Sequence, residues 1–169
     1  MNYLSTFLAI DPGHKTGAIA YCTVSPDEIK EFGEYTYTLS MSDLREEYGS
    51  ITEFLLDFPN PIAHISLERI PFLDTPGAAK LFANYGAILE AIKSYLLLGE
   101  GGTTFNHPTP QEWKRRFEFP GGMMYQQQKA YATHKRKELF PEIDCPKYAD
   151  DSVLILANCL ANILDGPEG

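Results

Sequence analysis

The chain has 169 residues, 44% of them hydrophobic, which suits one globular domain over residues 1–169 with a buried core of its own. No run approaches the roughly 18 apolar residues of a membrane span, and the start, Met1 to Ile10, lacks the basic region and cleavage site of a signal peptide, so a soluble cytoplasmic protein is expected. A net charge of -9 argues against a protein that coats nucleic acid through a generally basic surface, and the three cysteines, Cys22, Cys145 and Cys159, have neither an even number nor metal-ligand spacing.

The first apolar run, Tyr3 to Ile10, stops at Asp11-Pro12-Gly13, which cannot continue a strand, so it reads as a buried strand ending in a carboxylate. Gly17 to Val24 and Phe32 to Leu39 read as the second and third strands of a meander, separated by the turn-forming Ser25-Pro26-Asp27. From Ser42 to Phe58, Leu44, Tyr48, Ile51, Leu55 and Phe58 recur at three and four residues, the mark of an amphipathic helix ended by Pro59 and Pro61. Ile62 to Leu67 is short and apolar and follows a helix, so a crossover places it parallel to the first strand; it ends at Glu68. A long helix from Gly77 to Leu98, a fifth strand from Thr103 to Asn106 and a helix opened by the capping box Thr109-Pro110-Gln111-Glu112 come next. Tyr125 to Leu139 is a polar, basic helix, and Tyr148 to Leu164 is a strongly apolar one that should pack on the sheet. The expected architecture is α/β: a five-stranded mixed sheet, three antiparallel strands and then parallel ones, flanked by helices.

Asp11 and Glu68 then sit at the ends of adjacent parallel strands, and Asp150 and Asp151 lie in the first turn of the apolar last helix. Clustered carboxylates raise one another's pKa unless a cation neutralises them, so this arrangement points to Mg²⁺, with Mn²⁺ as a substitute, and to hydrolysis of a phosphodiester. Singly, each acid has a plainer reading: Asp11 as a turn residue, Glu68 as a partner of Arg69, Asp150 and Asp151 as capping groups. The recurrence of a carboxylate at three such places favours the cluster. Seven of the fourteen basic residues fall between Lys114 and Lys137, which allows a local basic face on an acidic body, although solvated helix faces read the same way.

Ala9-Ile-Asp-Pro-Gly-His-Lys-Thr-Gly-Ala-Ile-Ala-Tyr21 resembles the first motif of RuvC-type Holliday junction resolvases, and Ile65-Ser-Leu-Glu-Arg-Ile-Pro-Phe72 resembles their second. Thr109 to Lys114 and Lys129 to Pro141 are similar to segments of the phage-encoded members, and Ala149 to Ala157 looks like the final acidic helix. The resemblance runs the length of the chain in the right order. It implies an RNase H-like fold, a homodimer and Mg²⁺-dependent nicking of one strand of a four-way DNA junction by each subunit, in the host cytoplasm if the source is viral. By the same resemblance Asp11, Glu68 and Asp151 are metal ligands, with Asp150 as a fourth, and a one-residue shift exchanges the roles of Asp150 and Asp151. The family has two acids, or an acid and a histidine, three or four residues apart in this last motif, whereas Tyr148 and Lys147 stand at those places here. Lys114 is expected near the scissile phosphate, and Phe72 matches the aromatic that members insert at the junction centre. Arg115, Lys129, Lys135 and Arg136 complete the expected DNA contacts, and the dimer surface is expected to involve the long helix.

Gly13 to Gly17 lacks the spacing of a phosphate loop, so no nucleotide cofactor is expected; His14 is the one histidine near the proposed metal site. An actin-like kinase also places Asp-x-Gly after a strand, but its second phosphate motif is absent here. Two other readings stay open: a catalytically inactive scaffold for branched DNA, and a less selective nuclease of forks and flaps.

Overall fold

The computed structural model describes residues 5–13, 17–24, 36–40, 51–71, 73–99 and 102–165. The strands are β1 (Ser5–Asp11), β2 (Ala18–Val24), β3 (Thr36–Ser40), β4 (Ile62–Leu67) and β5 (Thr104–Asn106). The helices are α1 (Ile51–Leu56), α2 (Ala78–Leu98), α3 (Pro110–Arg116), α4 (Tyr125–Leu139) and α5 (Asp150–Asp165), the last entered through a 3₁₀ turn at Lys147–Ala149. The strands lie in the order β3-β2-β1-β4-β5. β1–β2 and β2–β3 pair antiparallel, while β1–β4 and β4–β5 pair parallel, so the mixed α/β class holds. Four strands are described through their side chains and β3 in its backbone alone. Of the helix expected over Ser42 to Phe58, α1 is the described part; residues 42–50, with Phe72 and His14, lie outside the described residues.

Both faces of the sheet are covered, and the period-2 alternation of β1 decides which side chain goes where. Leu8 and Ile10 join Ile19, Ile65, Leu67, Phe54, Leu55, Ile88 and Ile92 in one core, under α1 and α2. Phe7 and Ala9 join Ala20, Trp113, Val153, Leu154 and Leu156 in the other, under α3, α4 and α5. Ala9 and Ala20 face each other across β1 and β2, and their small side chains let α5 sit close to the sheet. β4 obeys the same parity: Ile65 and Leu67 point to the α2 side, and His64 and Ser66 to the α5 side. His64 bonds Thr104 Oγ1 at 2.6 Å through Nδ1 and Asn106 Oδ1 at 3.2 Å through Nε2, tying β4 to the short edge strand β5. Burial in this network lowers the His64 pKa, against the pull of Asn106, and a neutral ring suits its structural place.

Helix α3 begins where the capping box requires. Glu112 N–H donates to Thr109 Oγ1 at 3.3 Å, Thr109 N–H donates to Glu112 Oε2 at 2.5 Å, and Pro110 opens the first turn. That fixes the rotation of the helix, and with it which residue faces the sheet: Trp113 is fully buried.

Candidate active site

The parity of the two central strands carries both carboxylates to one side. Asp11 follows Phe7 and Ala9 on the α5 face of β1, and Glu68 follows His64 and Ser66 on the same face of β4. Ile10 pairs with Leu67, and Glu68 N–H donates to the Ile10 carbonyl at 2.9 Å, so the two acids leave the sheet side by side. The turn after β1 is held by Asn84 of α2, whose Nδ2 donates to the carbonyls of Pro12 and Gly13 at 2.6 and 2.7 Å. Gly13 N–H in turn donates to Asp11 Oδ1 at 3.3 Å.

Asp151 comes from above the sheet, in the first turn of α5, where the partial positive charge of the helix N-terminus favours an anion. Its carboxylate meets the ammonium of Lys129 from α4. The three acids repel one another. Burial, then the charge of Asp151, pushes Asp11 up to about 6 against the counter-pull of Lys129, Gly13 N–H and Lys114. Burial, then the charge of Asp11, pushes Glu68 up to about 8, with Asp151 adding to the rise and the Trp113 hydrogen bond and Lys114 opposing it. Burial works against the charged form of Lys129, but Asp151 and Asp11 overcome it and the ammonium is held more tightly than in water.

The rest of the site comes from α3 and α4. Trp113 Nε1 donates to Glu68 Oε1 at 2.8 Å, which fixes one carboxylate oxygen and leaves Oε2 for other work. Sequence reasoning gave Trp113 no role; the signal it passed over is that a buried indole N–H needs an acceptor. Lys114 lies 5.2 Å from the Trp113 ring centroid and donates to Gln128 Oε1 at 2.9 Å. Its charge acts on both Asp11 and Glu68, so it borders the acids.

Asp150 departs from the expected role of fourth ligand. It is 1% exposed and turned away from the other acids: Oδ1 takes Arg136 Nε at 2.8 Å and Oδ2 takes Thr133 Oγ1 at 2.5 Å. Successive helix residues point about 100° apart, so Asp150 and Asp151 cannot share one target. Arg136 is accordingly no DNA contact. It is 5% exposed, and NH1 donates to the Ile143 carbonyl at 2.7 Å as well. Lys129, Thr133 and Arg136 form a single face of α4 at four- and three-residue spacing, and that face reads the two aspartates of α5 rather than solvent. Lys135 pairs with Glu138 at 3.1 Å. Arg115 is exposed on the outer side of α3, where with Arg116, Asn158 and Asn162 it lines a groove of about 580 Å³ that none of the three clustered acids reaches.

Among the described residues, no three acidic, histidine or cysteine side chains already stand at ligating distance of one point. The donor chemistry of Asp11, Glu68 and Asp151 nevertheless fits a hard divalent cation: all donors are carboxylate oxygens, and burial, then a neighbouring carboxylate, raises the pKa of two of them, a rise that added positive charge would oppose. Part of that charge is supplied by Lys129.

No family model and no curated protein matches the sequence. Solved structures do match. The chain aligns with Thermus thermophilus RuvC in complex with a Holliday junction substrate at 13% identity and a TM-score of 0.56, covering 94% of this chain and 96% of that one. It aligns with the fowlpox virus resolvase in complex with Holliday junction DNA at 16% identity and a TM-score of 0.54, covering 95% and 97%. Agreement over nearly the whole of both chains, at so low an identity, establishes a shared fold: the chain has the RNase H-like architecture of RuvC.

Proposed function

We propose that the chain is a Mg²⁺-dependent endonuclease that resolves four-way DNA junctions, each subunit of a homodimer nicking one strand. The observation that carries this reading is the convergence of Asp11, Glu68 and Asp151 on one edge of this fold, with Lys114 and Lys129 beside them. Both neighbours above are structures of resolvases holding junction DNA, which supports the choice of substrate.

When bound, divalent metal, Mg²⁺ or Mn²⁺, lowers the pKa of a water and stabilises the leaving oxygen. The residues of the chain do the rest. Asp11, Glu68 and Asp151 would hold the cation through carboxylate oxygens alone. Trp113 keeps Glu68 in one orientation, so its free oxygen is aimed before substrate arrives. Lys129 leaves Asp151 and, with Lys114, meets the phosphate whose charge replaces that of the carboxylate. Exposed Arg115 contacts the backbone of an arm, and the homodimer is placed on α2, where Leu81 and Leu89 are half-buried and Leu97 is 86% exposed.

One observation favours a second reading. A lysine seated on Asp151 supplies a cation without metal, as a catalytically inactive scaffold for branched DNA would need. A cruciform extruded in a supercoiled plasmid separates the two and counts the nicks. Paired nicking by a dimer yields linear plasmid with Mg²⁺ and none with EDTA. Nicked circles alone would remove the coordinated dimer, and untouched plasmid that is nonetheless bound would leave the scaffold.

A further inference from the structure

The turn from α3 into α4 carries Pro120-Gly121-Gly122 and then two large apolar residues with little cover: Met124 is 74% exposed and Tyr125 68%. Gly122 sits at φ +75, a conformation that suits glycine and sets the direction in which the next residues project. The segment is firmly held. Met124 N–H donates to Gln127 Oε1 at 2.8 Å, and Gln128 Nε2 donates to the Met123 carbonyl at 2.9 Å while its Oε1 accepts from Lys114. Beneath it, Phe119 lies edge-on between Trp113 and Tyr131, with ring centroids 5.4 and 4.7 Å apart.

Tyr125 also lies near the acids. The Tyr125 ring centroid is 5.5 Å from Lys129 Nζ, and that ammonium is the one seated on Asp151. One side chain therefore separates an open aromatic ring from a carboxylate of the proposed metal site, and a second lysine, Lys114, is tied to the same turn.

We propose that Met124 and Tyr125 form a contact surface for nucleobases next to the scissile phosphate and set the base preference at the cut. The inference rests on the nuclease reading. With the phosphate held by the two lysines, the next groups along the strand are bases, and a rigid aromatic with a cation beneath it stacks on any exposed base face. Methionine adapts its shape to what remains of the base edge. In an intact duplex those faces are occupied by neighbouring bases, so the surface engages DNA that is opened at a branch.

The test uses full-length protein and four-way junctions randomised at the cut site, with cut positions sequenced for wild type, Tyr125→Ala, Met124→Ser and Tyr125→Phe. In parallel, 2-aminopurine placed beside the cut reports unstacking when Asp11→Asn protein binds, with and without Tyr125→Ala. The expected result is a loss of about fivefold or more in kcat/KM for Tyr125→Ala, the lower end of what base stacking on an aromatic contributes. The base distribution at the cut flattens, the fluorescence rise shrinks, and Tyr125→Phe keeps both. Mg²⁺ should still raise the melting temperature of every variant as it does wild type, which separates a lost base contact from a damaged metal site. Unchanged base distribution and fluorescence would overturn the inference. So would variants that sediment as monomers while cutting with wild-type preference, since the patch would then be a contact between subunits. Wild type that neither binds nor cuts the junction would remove the nuclease reading and this inference with it, whereas wild type and variants that cut alike remove this inference alone.

Discussion

Trp113 Nε1 and Glu68 Oε1 are joined at 2.8 Å across the gap between α3 and the end of β4. The bond links a helix whose start is fixed by its capping box to a carboxylate whose face is fixed by strand parity, so two local rules meet in one contact. Trp113→Phe keeps the buried ring and removes the donor. We expect a ten- to hundredfold loss of Mg²⁺ affinity or activity, the usual scale for a lost partner of a metal ligand. The cost in stability should be only about 1 kcal/mol, that of one hydrogen bond. Metal titrations and urea melts on the same preparation check both; equal losses in Trp113→Phe and Trp113→Leu together with unchanged Mg²⁺ affinity would reduce the residue to packing.

Without metal, the protein should lose stability as the pH rises. Folding raises Asp11 from 3.8 to about 6 and Glu68 from 4.5 to about 8, through burial first and repulsion second, from Asp151 on Asp11 and from Asp11 on Glu68. A carboxylate with a raised folded pKa contributes stability that is complete below its unfolded value and disappears as the pH passes its folded value. The window is therefore about pH 4 to 8. Melting temperatures in EDTA should fall across it beyond any trend in the double variant Asp11→Asn/Glu68→Gln, and Mg²⁺ should stabilise wild type more at pH 8 than at pH 5. A flat difference between wild type and the double variant would contradict the repulsion described here.

Asp150 and Arg136 make the opposite case, a buried pair that serves the fold. Arg136→Met strands a carboxylate that is 1% exposed, and we expect about 3–5 kcal/mol of destabilisation. The folded fraction should still bind Mg²⁺ like wild type, because neither residue points at the acids of the site. Weakened Mg²⁺ binding in folded protein would return Asp150 to the metal.

Lys129 is expected to oppose metal binding while the site waits for substrate. Lys129→Met removes the cation on Asp151, so the metal-free melting temperature should drop and the rise on adding Mn²⁺ should exceed that of wild type. Lys129→Arg, which keeps the charge, should lie between. Thermal shift across a Mn²⁺ titration reads this directly, and an unchanged Mn²⁺ response in Lys129→Met would show that the lysine and the metal do not compete.

The positions of Asp11 and Glu68 were legible because each ends an apolar strand, and a period of two then leaves only one face for both. The start of α3 was legible because Thr109-Pro110-Gln111-Glu112 specifies its own backbone. What lay beyond reading was rotation about a helix axis. Asp150 and Asp151 differ by one residue, and their targets follow from how α4 packs on α5, a contact between two helices whose facing side chains are charged. The same contact hid the fate of the basic run. Lys129, Thr133 and Arg136 have the spacing of a polar face, and polar spacing alone does not tell a face that meets water or DNA from one that meets aspartates. The exposed Tyr125 carried no signal in the sequence, where it read only as the first residue of a polar, basic helix.

The measurement that tests the central claim most directly is cleavage of a labelled four-way junction against a linear duplex of the same arms, in Mg²⁺ or EDTA, by wild type, Asp11→Asn, Glu68→Gln and Asp151→Asn. The expected result is symmetric nicking of the junction by wild type only with Mg²⁺, with all three variants binding the junction at wild-type affinity and cutting at least about a thousandfold more slowly, the scale of about 4 kcal/mol of lost transition-state stabilisation. Binding without cleavage by wild type in either Mg²⁺ or Mn²⁺, or cleavage that survives the loss of any of the three acids, would contradict it.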